Sequence, residues 1–252
     1  SAVAPHGRGM PSLRLRLLNG FALTAGGAAV ALPLSAQRVL AFLALHEGPA
    51  QRAFVAGSLW LDRPEDRAHA NLRTALWRLR ACGFPLVVSG GLQLRLAEDV
   101  VIDVRSAELL ARAALEDRDD AIELEAATFT RDLLPDWYDD WLILERERYR
   151  QVRLRTLDAL CERLTAAGRF DEALDAGMSS VACEPLRESA HRAVVRLHLA
   201  EGNVGEAIRQ YKLCARLLRE QLGIVPSASM EALMMRRPAA LALAPIPPIA
   251  VA

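Results

Sequence analysis

The sequence predicts a mainly α-helical protein that opens with a small α+β domain, and three patterns predict it. Leu13-Arg-Leu-Arg-Leu17 alternates strictly, as a strand with one buried face does. Residues 61–96 run from an arginine-rich helical segment into two short β-prone stretches. From Asp103 onward the apolar spacing is helical almost throughout, and Ala167-Gly168-Arg-Phe170-Asp-Glu-Ala173-Leu recurs as Glu201-Gly202-Asn-Val204-Gly-Glu-Ala207-Ile.

Phe21-Ala-Leu23 and Ala29-Val-Ala-Leu32 follow the first strand across Gly-rich turns, which predicts a small antiparallel sheet. Ser35 is the expected N-cap of a helix over 36–46, whose Val39, Leu40, Leu43 and Ala44 make an apolar face and which Gly48-Pro49 ends. A short helix over 51–60 comes next. The third helix, the arginine-rich segment over 61–80, opens after Asp62-Arg63-Pro64, a helix-start signal.

Two lines of residues run along that third helix. Ala68, Leu72, Ala75, Leu76 and Leu79 fall at i, i+4, i+7, i+8 and i+11 and form a stripe that must face a core. Arg67, Asn71, Thr74 and Arg78 form a second line on another face, flanked by Arg73 and Arg80. Such a line suits the DNA major groove: arginine holds both acceptors of guanine, asparagine does the same on adenine, and threonine offers a hydroxyl and a methyl. It also suits a solvated helix face, and the neighbouring hairpin favours the groove. Trp77, between the two faces, packs on the core, with stacking on a sugar or support of the wing as the alternatives. Val87-Val-Ser-Gly-Gly-Leu-Gln-Leu94 reads as a hairpin turning at Gly90-Gly91. Three strands, three helices and a hairpin is the order of a winged helix-turn-helix with its recognition helix third.

In the back half the spacing predicts helices over 105–116, 118–129, 138–167, 170–183, 187–201, 203–222 and 227–235. Gly168 and Gly202 are 34 residues apart, as are Ala173 and Ala207. Glycine at the interhelix turn and alanine at the close crossing, at that period, match tetratricopeptide repeats, which build concave surfaces for peptides or helices. Chance recurrence in an Ala-rich helical chain is the alternative. Pro185 closes the first repeat, whereas Arg219 stands at the matching place in the second, so that helix is expected to run on to Gly223. The expected division is a disordered leader over 1–11, a DNA-binding domain over 12–102, a tetratricopeptide-like domain over 103–235 and a Pro- and Ala-rich flexible tail over 236–252.

The net charge of zero conceals an asymmetry: residues 1–100 hold 11 Arg against 6 acidic residues, and 101–252 hold 20 Lys+Arg against 25 acidic. A basic front and an acidic back fit a nucleic-acid-facing half and a protein-facing half. Lys212 is the single lysine. Cys82, Cys161, Cys183 and Cys214 lie far apart, without zinc-ligand spacing, and are expected to be reduced core residues. No apolar run reaches the length of a membrane span, so the cytosol is the expected location.

A winged helix joined to Asp132-Leu-Leu-Pro-Asp-Trp137, Trp141-Leu-Ile-Leu-Glu-Arg146, Glu184-Pro, Glu188-Ser-Ala-His-Arg192 and Leu222-Gly-Ile-Val-Pro226 resembles the bacterial transcriptional activator domain regulators of the Streptomyces antibiotic regulatory protein type, over about residues 12–235. The resemblance implies an OmpR-type winged helix that binds promoter direct repeats near the −35 element and helps hold RNA polymerase there, through its sigma factor and core subunits. It implies a back domain supporting homodimerisation or regulation, and control of genes such as a biosynthetic cluster.

Carried over by position, the recognition helix is Glu65 to Cys82, with Arg78 entering the groove and Arg67, Asn71, Arg73 and Thr74 at base or phosphate contacts. Leu61, Asp62, Arg63 and Pro64 match the loop turned toward polymerase, and Ser89, Gly90 and Gly91 match the wing tip. Asn71 and Arg73 depart from the commoner family residues, and the wing tip lacks a basic residue, Arg95 being the nearest. No Gly-x-x-x-x-Gly-Lys-Ser/Thr loop occurs, so ATP-dependent switching is not expected.

Chemistry is not expected either. His191 and His198 share a helical face without a third metal ligand, and no nucleophile–base constellation has a local signature, so neither cofactor nor metal is called for. Asp139, Asp140, Glu145 and Glu147 are expected to be solvating charges at a helix start. Trp137, Tyr138 and Trp141 are expected to cover the start of the long helix, with an aromatic ligand pocket as the alternative. Two other functions fit the same residues: a tetratricopeptide adaptor or ligand-sensing regulator working through protein contacts, and a repressor using the same DNA contacts.

Overall fold

A computed structural model describes residues 11–116 and 126–235. The expected tail, nearly all of the expected leader and residues 118–125 of the helix expected over 118–129 lie outside the described residues. The chain clusters into two compact units, Ser1–Leu110 with Arg131–Val152, and Ala111–Thr130 with Arg153–Ala252.

In the first unit, β1 (Leu13–Arg16) pairs antiparallel with β2 (Ala22–Ala25), which pairs with β3 (Ala28–Ala29). Leu13 and Leu15 are buried while Arg14 and Arg16 face out, as the alternation requires. The third strand is shorter than the 29–32 expected. Val30 N still donates to Leu23 O at 2.8 Å, but the chain then turns Leu32 into the core ahead of Pro33. Helix α1 (Leu34–Leu45) buries Ala36 and every residue from Val39 to Ala44. Ser35 lies inside this helix and is not its cap. Pro33 takes that position, its carbonyl accepting from Ala36 N and Gln37 N at 2.9 and 3.0 Å, because its fixed φ already suits the entry to a helix.

Strand β4 (Ala50–Gln51) leads directly into α2 (Arg52–Leu59), and α3 (Glu65–Ala81) follows. Then come β5 (Val87–Gly90), β6 (Gln93–Leu96) and β7 (Val100–Ile102). Strands β4, β6 and β5 form one sheet, and β7 runs parallel to β1 at the edge of the other, giving the order β3-β2-β1-β7. Strands as short as β4 and β7 carry no readable period. Past β7, Asp103 Oδ1 accepts from Leu17 N at 2.9 Å and Oδ2 from Leu18 N at 2.9 Å, which ends β1. Burial raises the Asp103 pKa even so, outweighing these backbone bonds. Asp103 is also the first residue of α4 (Asp103–Leu115).

Residues 131–152 belong to the first unit, whereas the linear division expected everything after 103 to be separate. The backbone explains the difference: Leu134 N donates to Leu17 O at 2.9 Å, Asn19 N donates to Asp132 O at 2.7 Å, and Leu18 bridges Leu133. From α5 (Trp141–Ala166), Arg146 donates to the carbonyls of Leu133, Leu134 and Trp137 and so holds this segment in shape.

The second unit contains a 3-10 turn (Ala126–Phe129), the later part of α5, α6 (Phe170–Cys183), α7 (Glu188–Glu201), α8 (Val204–Leu222) and α9 (Ala228–Met235). The 34-residue repeat is real in three dimensions. Gly168 (φ +74) and Gly202 (φ +87) make equivalent left-handed turns, and Ala173 and Ala207 are fully buried. Helix α8 does run to Gly223 (φ +69), where Gly223 N donates back to Arg219 O at 3.1 Å and Ile224 N to Leu218 O at 3.3 Å. One polar network ties three helices: Asp158 accepts from Ser180 Oγ and Ser189 Oγ, both at 2.7 Å, and from Arg187 Nε at 3.1 Å.

Candidate nucleic-acid interface

Helix α3 forms because a 17-residue segment with one apolar stripe can bury it, and because Glu65 and Asp66 in its first turn and Arg78 and Arg80 in its last complement the backbone dipole. Pro64 precedes it, accepting from Arg67 N and Ala68 N at 2.9 and 3.0 Å. All five stripe residues are buried. The opposite faces are open: Arg67, Arg73, Thr74, Arg78 and Arg80 are exposed and Asn71 is half-buried. None of these four arginines has a carboxylate partner among the described residues, so their charge is uncompensated locally.

Thr74 is less versatile than its position suggested. Its Oγ1 donates to Ala70 O at 3.0 Å, leaving the hydroxyl an acceptor and the methyl free. Trp77 is 68% exposed, so the core-packing reading of this side chain is wrong. Its place one residue past Leu76 turns the indole away from the core.

The wing is a β-hairpin of β5 and β6, but its turn sits one residue later than expected. Gly90 pairs with Gln93, so Gly91 and Leu92 form the two-residue loop. Gly91 has φ +58, the left-handed conformation that the first loop position of such a turn requires. Ser89, Gly90 and Gly91 are exposed, and Leu92 is 75% exposed. Arg95 supplies no free charge, being paired with Glu98 at 2.6 Å. A cation missed in the sequence stands here instead: Arg52 donates from Nε to Gly91 O at 3.2 Å and from its NH2 group to Ser89 Oγ. Arg52 lies 37 residues from Ser89, and the weak signal for the contact was a lone arginine at the head of a short helix.

The loop between α2 and α3 projects Leu61, Asp62, Arg63 and Pro64 into solvent. Beside it is a cleft of about 300 Å³ lined by Arg38, Trp60, Leu61–Arg63 and Tyr138–Trp141. Arg38 braces it, bonding Asp139 and donating to Leu59 O at 2.6 Å, with its guanidinium 5.9 Å from the Trp60 ring centre. Asp139 is therefore a mostly buried ion-pair partner and not a solvating charge. Glu145 is also partly withdrawn from water, which raises its pKa. Glu147 behaves as expected of an exposed acid, its pKa lowered to about 2 by bonds from Arg150 and Gln151. Trp137 stacks on Phe21 and Trp141 meets Phe42 edge-on, so both indoles pack, while Tyr138 is 93% exposed.

His191 Nε2 donates to Pro185 O at 2.9 Å and Nδ1 accepts from Gln210, which accounts for both ring nitrogens without a metal. Among the described residues no cluster of His, Cys, Asp or Glu is arranged to hold a metal ion. The four cysteines are free thiols. Burial pushes Cys161 up to about 12 and Cys214 up to about 11, so both are protonated and unreactive near neutrality. No helix among the described residues is long and apolar enough to cross a membrane.

Comparison with known proteins adds the following. Residues 98–236 match the model of the bacterial transcriptional activator domain. The chain is 29% identical over 213 residues to the regulatory protein AfsR of Streptomyces coelicolor, covering 79% of this chain and 21% of that protein. It is also 29% identical over 213 residues to AfsR of Streptomyces griseus, covering 22% of it. The chain thus spans about a fifth of the length of these curated relatives. A solved structure of Mycobacterium tuberculosis EmbR, in complex with a low-affinity phosphopeptide, superposes with a TM-score of 0.72 at 19% identity, covering 90% of this chain and 65% of that one. At that identity the likeness establishes a shared fold, mainly α with a small β-containing front.

Proposed function

The chain belongs to the bacterial transcriptional activator domain family, a family of transcriptional regulators, and from that premise we propose that it is a sequence-specific DNA-binding activator. In this reading α3 lies in the major groove of promoter direct repeats beside the −35 element, and the loop Leu61–Pro64 meets RNA polymerase through its sigma factor and core subunits. Two copies of the chain would occupy two repeats. It works in the cytoplasm, on the nucleoid, without catalytic activity or cofactor of its own.

One observation carries the proposal. Helix α3 buries its whole apolar stripe and presents Arg67, Arg73, Arg78 and Arg80 to solvent without a carboxylate partner among the described residues. Uncompensated arginines on a rigid helix draw affinity from phosphate neutralisation, and those reaching base edges add discrimination of about 1–3 kcal/mol each.

The test is a footprint of the purified protein on the DNA upstream of its own gene, with and without RNA polymerase. Protected direct repeats beside −35 that strengthen with polymerase are the expected result. Protection that overlaps the start site and excludes polymerase would make it a repressor. No protection at any concentration would return the helical repeats of the second unit to first place, as an adaptor.

A further inference from the structure

The wing carries no free cation of its own. Arg95 is the single basic residue among residues 87–96, and Glu98 occupies it. A wing meeting DNA without positive charge gains little from the backbone, because phosphate neutralisation supplies most of the affinity there.

Arg52 fills that gap from outside the hairpin. Its backbone N donates to Leu92 O at 2.8 Å, continuing the β4–β6 pairing, and its guanidinium donates to Gly91 O and Ser89 Oγ. These three bonds fix the side chain against the wing turn. A guanidinium has five N–H donors, and two of them are used here. Three remain, on a side chain that no carboxylate among the described residues pairs with. The neighbouring tip is open, with nothing within 4 Å of a Cβ built at Gly90 or Gly91.

We propose that Arg52 is the wing's phosphate contact: it shapes the Ser89–Leu92 turn and offers its remaining N–H groups to a phosphodiester oxygen of the DNA backbone. A guanidinium already held in one rotamer loses little freedom on binding, and its planar fork matches a phosphate. This rests on the reading that the first unit binds DNA. The position neutralises backbone charge, so it strengthens binding to any sequence and does not choose among sequences.

Salt dependence of binding, measured on a random-sequence DNA duplex, tests it. Unaltered protein is expected to lose affinity steeply as salt rises. Arg52→Gln should lower the log–log slope by about one, so that between 50 and 200 mM salt it loses roughly 3-fold less affinity than the parent. Arg52→Lys should restore the slope, since it keeps the charge. An unchanged slope in Arg52→Gln, whatever its affinity or melting temperature, would reduce Arg52 to a brace of the hairpin and overturn the proposal. So would a lysine variant that behaves as the glutamine one does. If the unaltered protein shows no salt-dependent binding to any duplex, the DNA-binding reading itself fails and the proposal falls with it.

Discussion

The Gln210 side-chain amide of α8 donates to Nδ1 of the fully buried His191 of α7 at 2.9 Å in the interior of the second unit. The ring is thereby held neutral, Nε2–H on Pro185 O and a lone pair toward Gln210. Burial keeps its pKa below the ordinary 6.5. The unfolded chain therefore takes up a proton that the folded chain refuses, and the stability due to this group is present above pH 6.5 and lost as pH falls below it. The titratable neighbour is Glu188, which acts in the opposite sense by favouring the charged ring. The melting temperature should fall between about pH 8 and about pH 5, and His191→Asn should flatten that dependence. An undiminished slope in the variant would place the pH sensitivity elsewhere.

Gly177 sits at a helix crossing too tight for a side chain. A Cβ there would lie 2.7 Å from Val194 Cγ2 and 2.9 Å from Cys161 Sγ. In an open helix Gly→Ala would stabilise by up to about 1 kcal/mol. Here overpacking outweighs it, and Gly177→Ala should destabilise by about 1–3 kcal/mol in urea titration. Adding Val194→Ala should recover part of that loss, since one clash is removed; strict additivity of the two changes would show that the crossing has room.

Arg78→Ala should abolish preference for the footprinted operator, costing about 1–3 kcal/mol there and less on random DNA. Competition binding with both duplexes measures this. Equal losses on both would make Arg78 a phosphate contact.

Substitution of Asp62 or Arg63 by Ala should leave operator affinity unchanged and reduce transcription in a reconstituted polymerase assay. Both side chains stand on an exposed loop, outside the stripe that folds α3. A matching loss of DNA binding would remove this loop as a polymerase contact.

The amphipathic helix was legible because its apolar residues sit one helical period apart, and the repeat was legible because Gly168 and Gly202 carry the same left-handed turn at the same spacing. The arginine line of the candidate interface followed from the same period. Trp77 was not legible: a residue at the border of a stripe packs or faces water according to what lies opposite, which spacing does not state. Nor was the wing turn, where Gly90 and Gly91 are both conformationally permissive and the pairing of Gly90 with Gln93 decided which of them turns.

Local periodicity and turn chemistry, which depend on residues a few positions apart, determined from the sequence alone the helices, most strands, and the order of a winged helix ahead of helical repeats. Contacts across tens of residues belonged to the tertiary structure. It alone joined residues 131–152 to the first unit through Leu17 and Asn19, paired Asp139 with Arg38 and laid Arg52 on the wing. Those pairings depend on where the backbone brings a long polar side chain once the cores have packed, and no periodicity along the chain encodes that distance.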